Sequence, residues 1–290
     1  VASIDSGVDY THPDLAANIW SNPGEIAGNG IDDDRNGYID DIRGWNFVGR
    51  NNNPMDDFGH GTHTAGSIAA VGNNAIGVTG VSWRSKILPL KFLDASGAGT
   101  FANAAQAITY AANMGARIAN NSWGCNSANA QCYSQTIENA LKLAQQKNML
   151  ALFAAGNANS NNAVHNHPPC DTPVSNVLCV GATDNNDQRA IYANGGSNYG
   201  LRSVDLMAPG KAILSTVPSG TCRYCDPSGY LSSDGSSMAT ALSSGAAALA
   251  LSQFPALGSE ALKNLLISSG DPLPGLAGIS VSGHRLNVFN

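Results

Sequence analysis

The chain has 290 residues, of which 43% are hydrophobic and 12% are charged, and its formal net charge at pH 7 is −6. A chain of this length buries a large core, and it fits one large α/β domain about as well as two small ones. The acidic balance argues against a nucleic-acid partner, and the longest apolar stretch, residues 245–251, falls well short of the roughly 20 residues needed to span a bilayer.

The predicted elements alternate along the chain between short β-rich runs and longer helical patterns. Strands are predicted over residues 1–4, 87–93, 117–121, 150–154, 177–180 and 205–208. Helices are predicted over residues 60–71, 101–114, 135–147, 237–253 and 260–268. This alternation favours βαβ units, and hence an α/β fold of three layers with a mostly parallel central sheet and helices on both faces. The helix over residues 237–253 is apolar on nearly all sides, which is typical of a central helix in a large core.

The first candidate for chemistry is Asp5, which ends the first predicted strand in the motif DSGVDYTHPDL, residues 5–15. A carboxylate at the carboxyl end of a buried strand is suited to accept a hydrogen bond from an imidazole and to hold its tautomer. The alternative is an ordinary turn former.

The segment NGIDDDRNGYIDD, residues 29–41, differs from its surroundings in its density of acidic residues. Asp32, Asp34 and Asn36 are spaced two apart with glycine next, as in the opening of an EF-hand loop, and crowded carboxylates repel one another without a cation. Arg43 stands where the bidentate glutamate is expected, so Asp40 or Asp41 would have to complete the shell. We therefore predict structural Ca²⁺, with a solvated acidic loop as the alternative. The candidate ligands are Asp32, Asp34, Asn36, Tyr38, Asp40 and Asp41.

The second candidate is His60, in the motif GHGTHTAG, residues 59–66. It opens a predicted helix behind a glycine, so the imidazole is held on a rigid element while it faces a cleft. His63 follows three residues later, which raises the alternative of a metal site. However, the pair lacks the glutamate and the i, i+4 spacing of the zinc-peptidase helix.

Six cysteines form three close pairs along the chain, a pattern that predicts short-loop disulfides and an oxidising compartment. For the third pair, a CxxC, a redox or zinc motif is the alternative, but no second CxxC or His pair accompanies it. The pairs are Cys125 with Cys132, Cys170 with Cys179, and Cys222 with Cys225.

The third candidate is Ser237, in the motif DGSSMATALSSG, residues 234–245. It would begin the central helix, where the helix dipole and the exposed backbone N–H groups favour developing negative charge. A serine here can instead be a helix cap, and Ser236 could cap the helix equally well.

The order Asp, His, Ser along the chain is that of the subtilisin triad. The motifs DSGVD with HPDL, HGTHTAG and GSSMA resemble the three signature regions of the subtilase family. AAGN at 154–157, SNYG at 197–200, DLMAPG at 205–210 and RLN at 285–287 match further landmarks, so the resemblance runs from the first residue to the last. The acidic loop is similar to that of parasite subtilisin-like enzymes. Ser236, Ala241 and Leu242 depart from the family's usual threonine, proline and histidine.

This resemblance implies a secreted serine endopeptidase in which Asn157 donates its side-chain amide to the oxyanion, together with the backbone N–H of Ser237. The alternative for Asn157 is a turn residue. The runs SGAGT at 96–100 and SWG at 122–124 are similar to the two walls that hold an extended peptide substrate, although Trp123 could equally be core. The substrate-binding residues implied are Gly97, Gly99, Ser122, Trp123, Gly124, Ala155 and Gly156.

The resemblance also implies a second calcium site at the loop GNNAIGV, residues 72–78, with Asp14 as a distant carboxylate and with Asn74, Ile76 and Val78 as the other ligands. The expected organisation is one monomeric catalytic domain over residues 1–290, lacking its N-terminal segment and the cleaved propeptide that would inhibit the zymogen. Two other functions compete with this interpretation. A catalytically silent peptide-binding relative would be free to lose the four chemical groups, and a sedolisin-like acid peptidase would carry acidic residues in place of His60 and Asn157.

Overall fold

A computed structural model of the chain describes residues 1–125 and 132–290. In chain order the strands of these residues are β1 (Ala2–Asp5), β2 (Trp45–Asn46), β3 (Leu88–Lys91), β4 (Ile118–Asn121), β5 (Leu150–Ala154), β6 (Val177–Thr183), β7 (Ile191–Tyr192), β8 (Gly195–Gly196), β9 (Leu206–Pro209), β10 (Ile213–Thr216), β11 (Tyr230–Ser233), β12 (Asp271–Pro272) and β13 (His284–Arg285). The helices are α1 (His60–Ala69), α2 (Phe101–Asn113), α3 (Gln135–Gln146), α4 (Ser236–Gln253) and α5 (Ser259–Ser268).

Nine of these strands form the central sheet, in the order β12-β13-β9-β6-β5-β4-β1-β3-β2. Neighbouring strands run parallel except for the edge pair β12 and β13. The carboxyl ends of β1, β4 and β5 therefore meet along one edge of the sheet, where α/β proteins place their ligands. The remaining strands of the described chain form two antiparallel pairs, β7 with β8 and β10 with β11.

The helices cover both faces of the sheet, so the predicted three-layer α/β class is confirmed. Helices α2 and α3 share one core cluster with strand residues such as Ile4 and Phe153, whereas α4 and α5 share another with Leu152 and Val180. Successive strand residues thus alternate between the two cores, as expected of a sheet buried on both faces. Helix α4 is buried along most of its length, which agrees with its apolar sequence.

The structure forms every strand and helix expected from the sequence, with ends within a few residues of the expected ones. The start of the central helix differs from the prediction by one residue, which decides whether a serine caps it. Helix α4 begins at Ser236 and its N-cap is Gly235, so neither Ser236 nor Ser237 is the cap. Seven strands of two to four residues each were not expected, namely β2, β7, β8, β10, β11, β12 and β13.

The three predicted disulfides are present, joining Cys125 to Cys132, Cys170 to Cys179 and Cys222 to Cys225. The CxxC is therefore oxidised and holds no zinc.

Nowhere in residues 1–125 and 132–290 is there a helix both long enough and apolar enough to cross a membrane.

Candidate active site

Asp5 and His60 are joined by a hydrogen bond at the carboxyl edge of the sheet. Asp5 is the last residue of β1 and is fully buried, and its two carboxylate oxygens lie 2.8 and 3.0 Å from Nδ1 of His60, the first residue of α1. Since Nδ1 donates to the carboxylate, the lone pair of a neutral ring lies on Nε2. No hydrogen bond within the described residues reaches Nε2, so this atom remains available to accept a proton.

The pKa of His60 is raised above its usual range by its surroundings. Burial alone would lower it, but the charge of Asp5, the hydrogen bond from Nδ1 to Asp5 and the charge of Asp56 together outweigh burial. The imidazolium is thus stabilised once it has taken up a proton, as a general base requires.

Asp56, which the sequence analysis missed, fixes the start of α1. Its carboxylate accepts hydrogen bonds from the backbone N–H groups of Gly59 and Thr62, each at 2.8 Å, and from the hydroxyl of Ser6 at 2.9 Å. Because the N-cap Gly59 has no side chain, Asp56 supplies the carboxylate that caps the helix. Burial raises the pKa of Asp56, while these hydrogen bonds oppose the rise. An acidic residue just before a predicted helix was the available signal.

His63 has a packing role. It is fully buried, and its Nε2 lies 3.1 Å from the carbonyl of Ile213 in β10 and 3.0 Å from that of Leu231 in β11. Burial, with a smaller effect from the charge of His60, lowers the pKa of His63 to about 4. A neutral imidazole therefore ties the β10–β11 pair to α1, and among the described residues the group with metal-binding geometry lies elsewhere.

Ser237 is the second residue of α4 and lines the same cavity, of about 740 Å³, as His60 and Asn157. Its hydroxyl donates to the carbonyl of Ser122 at 3.0 Å, and the hydroxyl of Ser122 donates to the carbonyl of Ser237 at 2.9 Å. This reciprocal pair fixes α4 to the segment that follows β4. In this arrangement the Ser237 proton faces Ser122 rather than the imidazole.

Asn157 follows β5 at the same edge, and its amide orientation is set by α4. Its Oδ1 accepts the backbone N–H of Ser236 at 2.8 Å, so its Nδ2 carries the free donors. Among residues 1–125 and 132–290, no protein acceptor bonds this Nδ2. The hydroxyl of Ser236 in turn accepts the backbone N–H of Gly156 at 3.1 Å. The amide is therefore prepared to donate to an oxyanion in the cavity.

The predicted groove residues line this cavity with one exception. Ala155 is fully buried, with its N–H donated to Val180 and its carbonyl bonded by Asn162, so the assignment of Ala155 to the substrate groove is wrong. Trp123 is both a core residue and a cavity residue. Its indole N–H donates to the carbonyl of Ile4 at 2.9 Å, and the residue also lines the cavity. The residues that do line the cavity are Gly97, Gly99, Ser122, Trp123, Gly124 and Gly156.

The acidic loop folds as its spacing predicts. The two carboxylate oxygens of Asp32 accept the backbone N–H groups of Asn36, at 3.0 Å, and of Gly37, at 2.8 Å. Glu25, which the sequence analysis missed, brings a third carboxylate, because oxygens of Glu25, Asp32 and Asp34 lie within 4.8 Å of one another. Three crowded carboxylates are a donor set that fits a hard cation such as Ca²⁺.

Asp40 and Asp41 lie outside this group of three carboxylates, and their ligation of a cation stays a prediction. Asp40 turns its carboxylate toward the backbone N–H groups of residues 28–30. Asp41 is fully buried and accepts from the amides of Asn22 and Asn36, at 2.8 and 2.9 Å, and from the hydroxyl of Tyr110.

Tyr38 packs its ring edge-on against Trp45, Phe47 and Tyr110, which leaves only its backbone as a potential ligand. Its backbone N–H donates to the side-chain Oδ1 of Asn36 at 2.8 Å, so one oxygen of Asn36 is engaged with the loop itself. Ligation by Asn36 and Tyr38 stays a prediction.

The loop over residues 72–78 is held by Asp14, as expected, but through hydrogen bonds. The buried carboxylate of Asp14 accepts from Asn74 Nδ2 at 2.6 Å, from the backbone N–H of Val78 at 2.9 Å and from the hydroxyl of Tyr230 at 3.0 Å. A cation here would have to displace these donors. The second calcium site, including the carbonyl of Ile76, stays a prediction.

The comparisons with known proteins agree with this geometry. The model of the subtilase family matches residues 1–281. A thermophilic serine proteinase from Bacillus sp. (strain AK1) is 38% identical over 253 residues, which are 87% of this chain and 52% of that protein. Subtilisin-like protease 1 of Plasmodium falciparum (isolate 3D7) is 35% identical over 247 residues, which are 77% of this chain and 34% of that protein.

A solved structure extends the similarity to the fold. The crystal structure of a cold-adapted subtilisin-like serine proteinase matches with a TM-score of 0.70 and 26% sequence identity, covering 99% of this chain and 85% of that chain. The present chain spans about half of the Bacillus relative and about a third of the Plasmodium relative.

Proposed function

This chain belongs to the subtilase family, and on that premise we propose that it is a serine endopeptidase that hydrolyses peptide bonds in proteins through an acyl-enzyme. The resemblance found in the sequence, including that to the parasite enzymes, is thereby confirmed. The observation that carries the proposal is the Asp5–His60 pair, which opens onto the same cavity as Ser237 and Asn157.

In the proposed reaction the hydroxyl of Ser237 turns from the carbonyl of Ser122 toward His60 Nε2 and attacks the substrate carbonyl carbon. His60 takes the hydroxyl proton and later gives it to the leaving amine, while Asp5 holds the ring and stabilises its charge. Catalytic hydrogen bonds are often unformed before substrate binds. The new oxyanion would receive hydrogen bonds from Asn157 Nδ2 and from the backbone N–H of Ser237, at the N-terminus of α4.

The experiment that tests this proposal is active-site labelling. A fluorophosphonate should label the protein at one serine, and Ser237→Ala should abolish both labelling and peptide hydrolysis. Ser252→Ala, at an exposed position of the same helix, is the matched control and should keep both. Circular dichroism should show all three chains to be folded.

One observation favours a second candidate, a catalytically silent peptide-binding protein. The Ser237 hydroxyl donates to Ser122 and not to His60, which a protein without turnover could retain. A wild-type chain that binds extended peptides yet neither hydrolyses them nor reacts with the fluorophosphonate would establish this alternative.

We also propose that Glu25, Asp32 and Asp34 hold a structural Ca²⁺ ion, which would neutralise their mutual repulsion and lock the loop over residues 25–41. Calcium titration by calorimetry tests this directly. Glu25→Gln should weaken binding at this loop, whereas Glu260→Gln, at an exposed residue of α5, should not change it. Equal calcium binding by the two variants would refute the site.

We also propose where the protein acts and in what form it is made. Three disulfides favour a secretory or extracellular location. We propose that residues 1–290 form one monomeric catalytic domain that acts on extended polypeptides and that is made as a zymogen with a cleaved inhibitory propeptide.

A further inference from the structure

His167 lies between the two walls of the cavity that follow β4 and β5. A Cβ atom built on Gly124 would lie 2.6 Å from its Nε2, and one built on Gly156 would lie 2.8 Å from both Nε2 and Cε1. Any side chain at either position would collide with the ring. The two glycines therefore make room for an imidazole that lines the cavity next to Asn157.

The imidazole of His167 is buried but has no partner. The residue is only 7% exposed, and its backbone N–H is donated to Asp171 at 2.9 Å. Neither ring nitrogen, however, makes a hydrogen bond to any of residues 1–125 and 132–290. Since the residue lines the cavity and keeps a small exposed fraction, its ring nitrogens are accessible to a partner that arrives through the cavity.

The surroundings of His167 are otherwise poor in charge. Among the described residues that line the cavity there is no Asp, Glu, Lys or Arg, and the other titratable side chain is His60. The segments after β4 and β5 and the start of α4 present no titratable group to the ring. Its own segment carries the exposed His165 and the half-buried Asp171. Burial lowers the pKa of His167, which favours the neutral form of the imidazole.

The position of the ring relative to the reactive groups decides which substrate residue it meets. A carbonyl attacked by Ser237 would direct its oxygen to Asn157, and the side chain of the same residue leaves the adjacent α carbon. The gap between Gly124 and Gly156, closed by His167, is the part of the cavity next to Asn157. This gap would receive the side chain on the N-terminal side of the cleaved bond.

On the basis of the proposed endopeptidase function, we propose that His167 is the specificity-determining residue of this gap, and that it selects substrates whose residue before the cleaved bond is Glu or Gln. The ring N–H donates to the side-chain oxygen of either residue. Lys and Arg find neither an acceptor carboxylate nor a counter-charge there.

The two favoured side chains differ in how their binding depends on pH. A carboxylate brought beside the buried ring stabilises the imidazolium, so binding of Glu is coupled to uptake of a proton by His167, whereas binding of Gln is not. The ratio of kcat/KM for Glu to kcat/KM for Gln should therefore rise as the pH falls. Because the titration of His60 affects both substrates equally, it cancels in the ratio.

The test uses acyl-Ala-Ala-Ala-X p-nitroanilides with X as Glu, Gln, Leu or Lys, and with enzyme concentration set by fluorophosphonate titration. We expect Glu and Gln to exceed Lys, and the ratio of Glu to Gln to rise from about pH 8 to about pH 6. His167→Ala should lower kcat/KM about tenfold for Gln and by a larger factor for Glu, and so reverse the preference of Gln over Leu. His165→Ala is the matched control and should behave as wild type.

The possible failures are distinguishable. A wild-type enzyme that is labelled and active but prefers Leu or Lys, with a Glu to Gln ratio independent of pH, would overturn the role of His167 and leave the endopeptidase intact. Absence of both labelling and hydrolysis would overturn the proposed function and this role with it. If His167→Ala does not fold, His167→Gln should retain Gln selectivity while losing the pH dependence of the ratio, and a retained pH dependence would equally refute the role.

Discussion

The buried His63 makes acid stability a sensitive test of the fold around the candidate site. In the unfolded chain this ring should take up a proton near the ordinary pKa of 6.5, but in the folded chain only near 4. Its contribution to stability is therefore complete above pH 6.5 and is lost as the pH falls from 6.5 to about 4. At about 1.4 kcal/mol for each tenfold change in proton affinity, the loss is roughly 3 kcal/mol.

The perturbation is His63→Gln, which keeps a donor for the carbonyls of Ile213 and Leu231 but does not titrate. Both chains carry Ser237→Ala to prevent self-digestion, and their melting temperatures are measured by calorimetry between pH 7 and pH 4. A loss of about 1 kcal/mol in the free energy of unfolding lowers the melting temperature by roughly 2 °C in a protein of this size. The melting temperature of the chain with His63 should therefore fall by roughly 6 °C more than that of the variant between pH 7 and pH 4. The two chains are otherwise identical in sequence, so the difference between their decreases reports on residue 63.

An equal decrease of the two melting temperatures would refute the reasoning. It would mean either that His63 is accessible to protons in the folded state or that its hydrogen bonds to β10 and β11 do not hold. A smaller decrease in the wild-type chain than in the variant would refute the sign of the linkage.

Three further outcomes are expected. Asn157→Ala should reduce kcat about 10² to 10³-fold with little change in KM, whereas Asn139→Ala, on the exposed side of α3, should leave both constants unchanged; equal constants for the two variants would refute the oxyanion role. Asp5→Asn should reduce kcat about 10⁴-fold and move the acidic limb of kcat/KM to lower pH, because the charge that raises the pKa of His60 is gone; an unmoved limb in the pH profile would contradict this cause. Chelation with EDTA should lower the melting temperature of the wild-type chain more than that of Glu25→Gln, and an equal decrease, measured by calorimetry, would count against a cation at Glu25, Asp32 and Asp34.

The sequence predicts the parts of the site that depend on local patterns. Asp5, Asn157 and the central helix, apart from its first residue, all follow from short motifs at the ends of strands or helices, and parallel strands bring such ends together. The disulfides follow in the same way, since each joins cysteines close in the chain.

The residues that were missed make contacts that no motif describes. Asp56 combines a local cap of α1, which its position before the helix signals, with a hydrogen bond from the hydroxyl of Ser6, 50 residues away along the chain. Glu25 precedes the EF-hand-like segment, so the spacing of that segment does not predict that its carboxylate lies beside Asp32 and Asp34. The burial of Ala155 results from its packing beneath the strand ends, whereas its neighbour Gly156 faces the cavity, and a run of small residues does not distinguish the two.

The order of the elements in the chain also has a consequence for biosynthesis. Asp5 lies on β1 and Ser237 on α4, so a chain leaving the ribosome exposes the carboxylate and the imidazole long before the nucleophilic hydroxyl exists. The sheet places β1 between β3 and β4, which are themselves made later, so the pairing has to wait for distant segments and is slow by nature. A polypeptide that stops short of α4 lacks the serine on which the proposed reaction depends, so the proposed activity requires almost the whole chain.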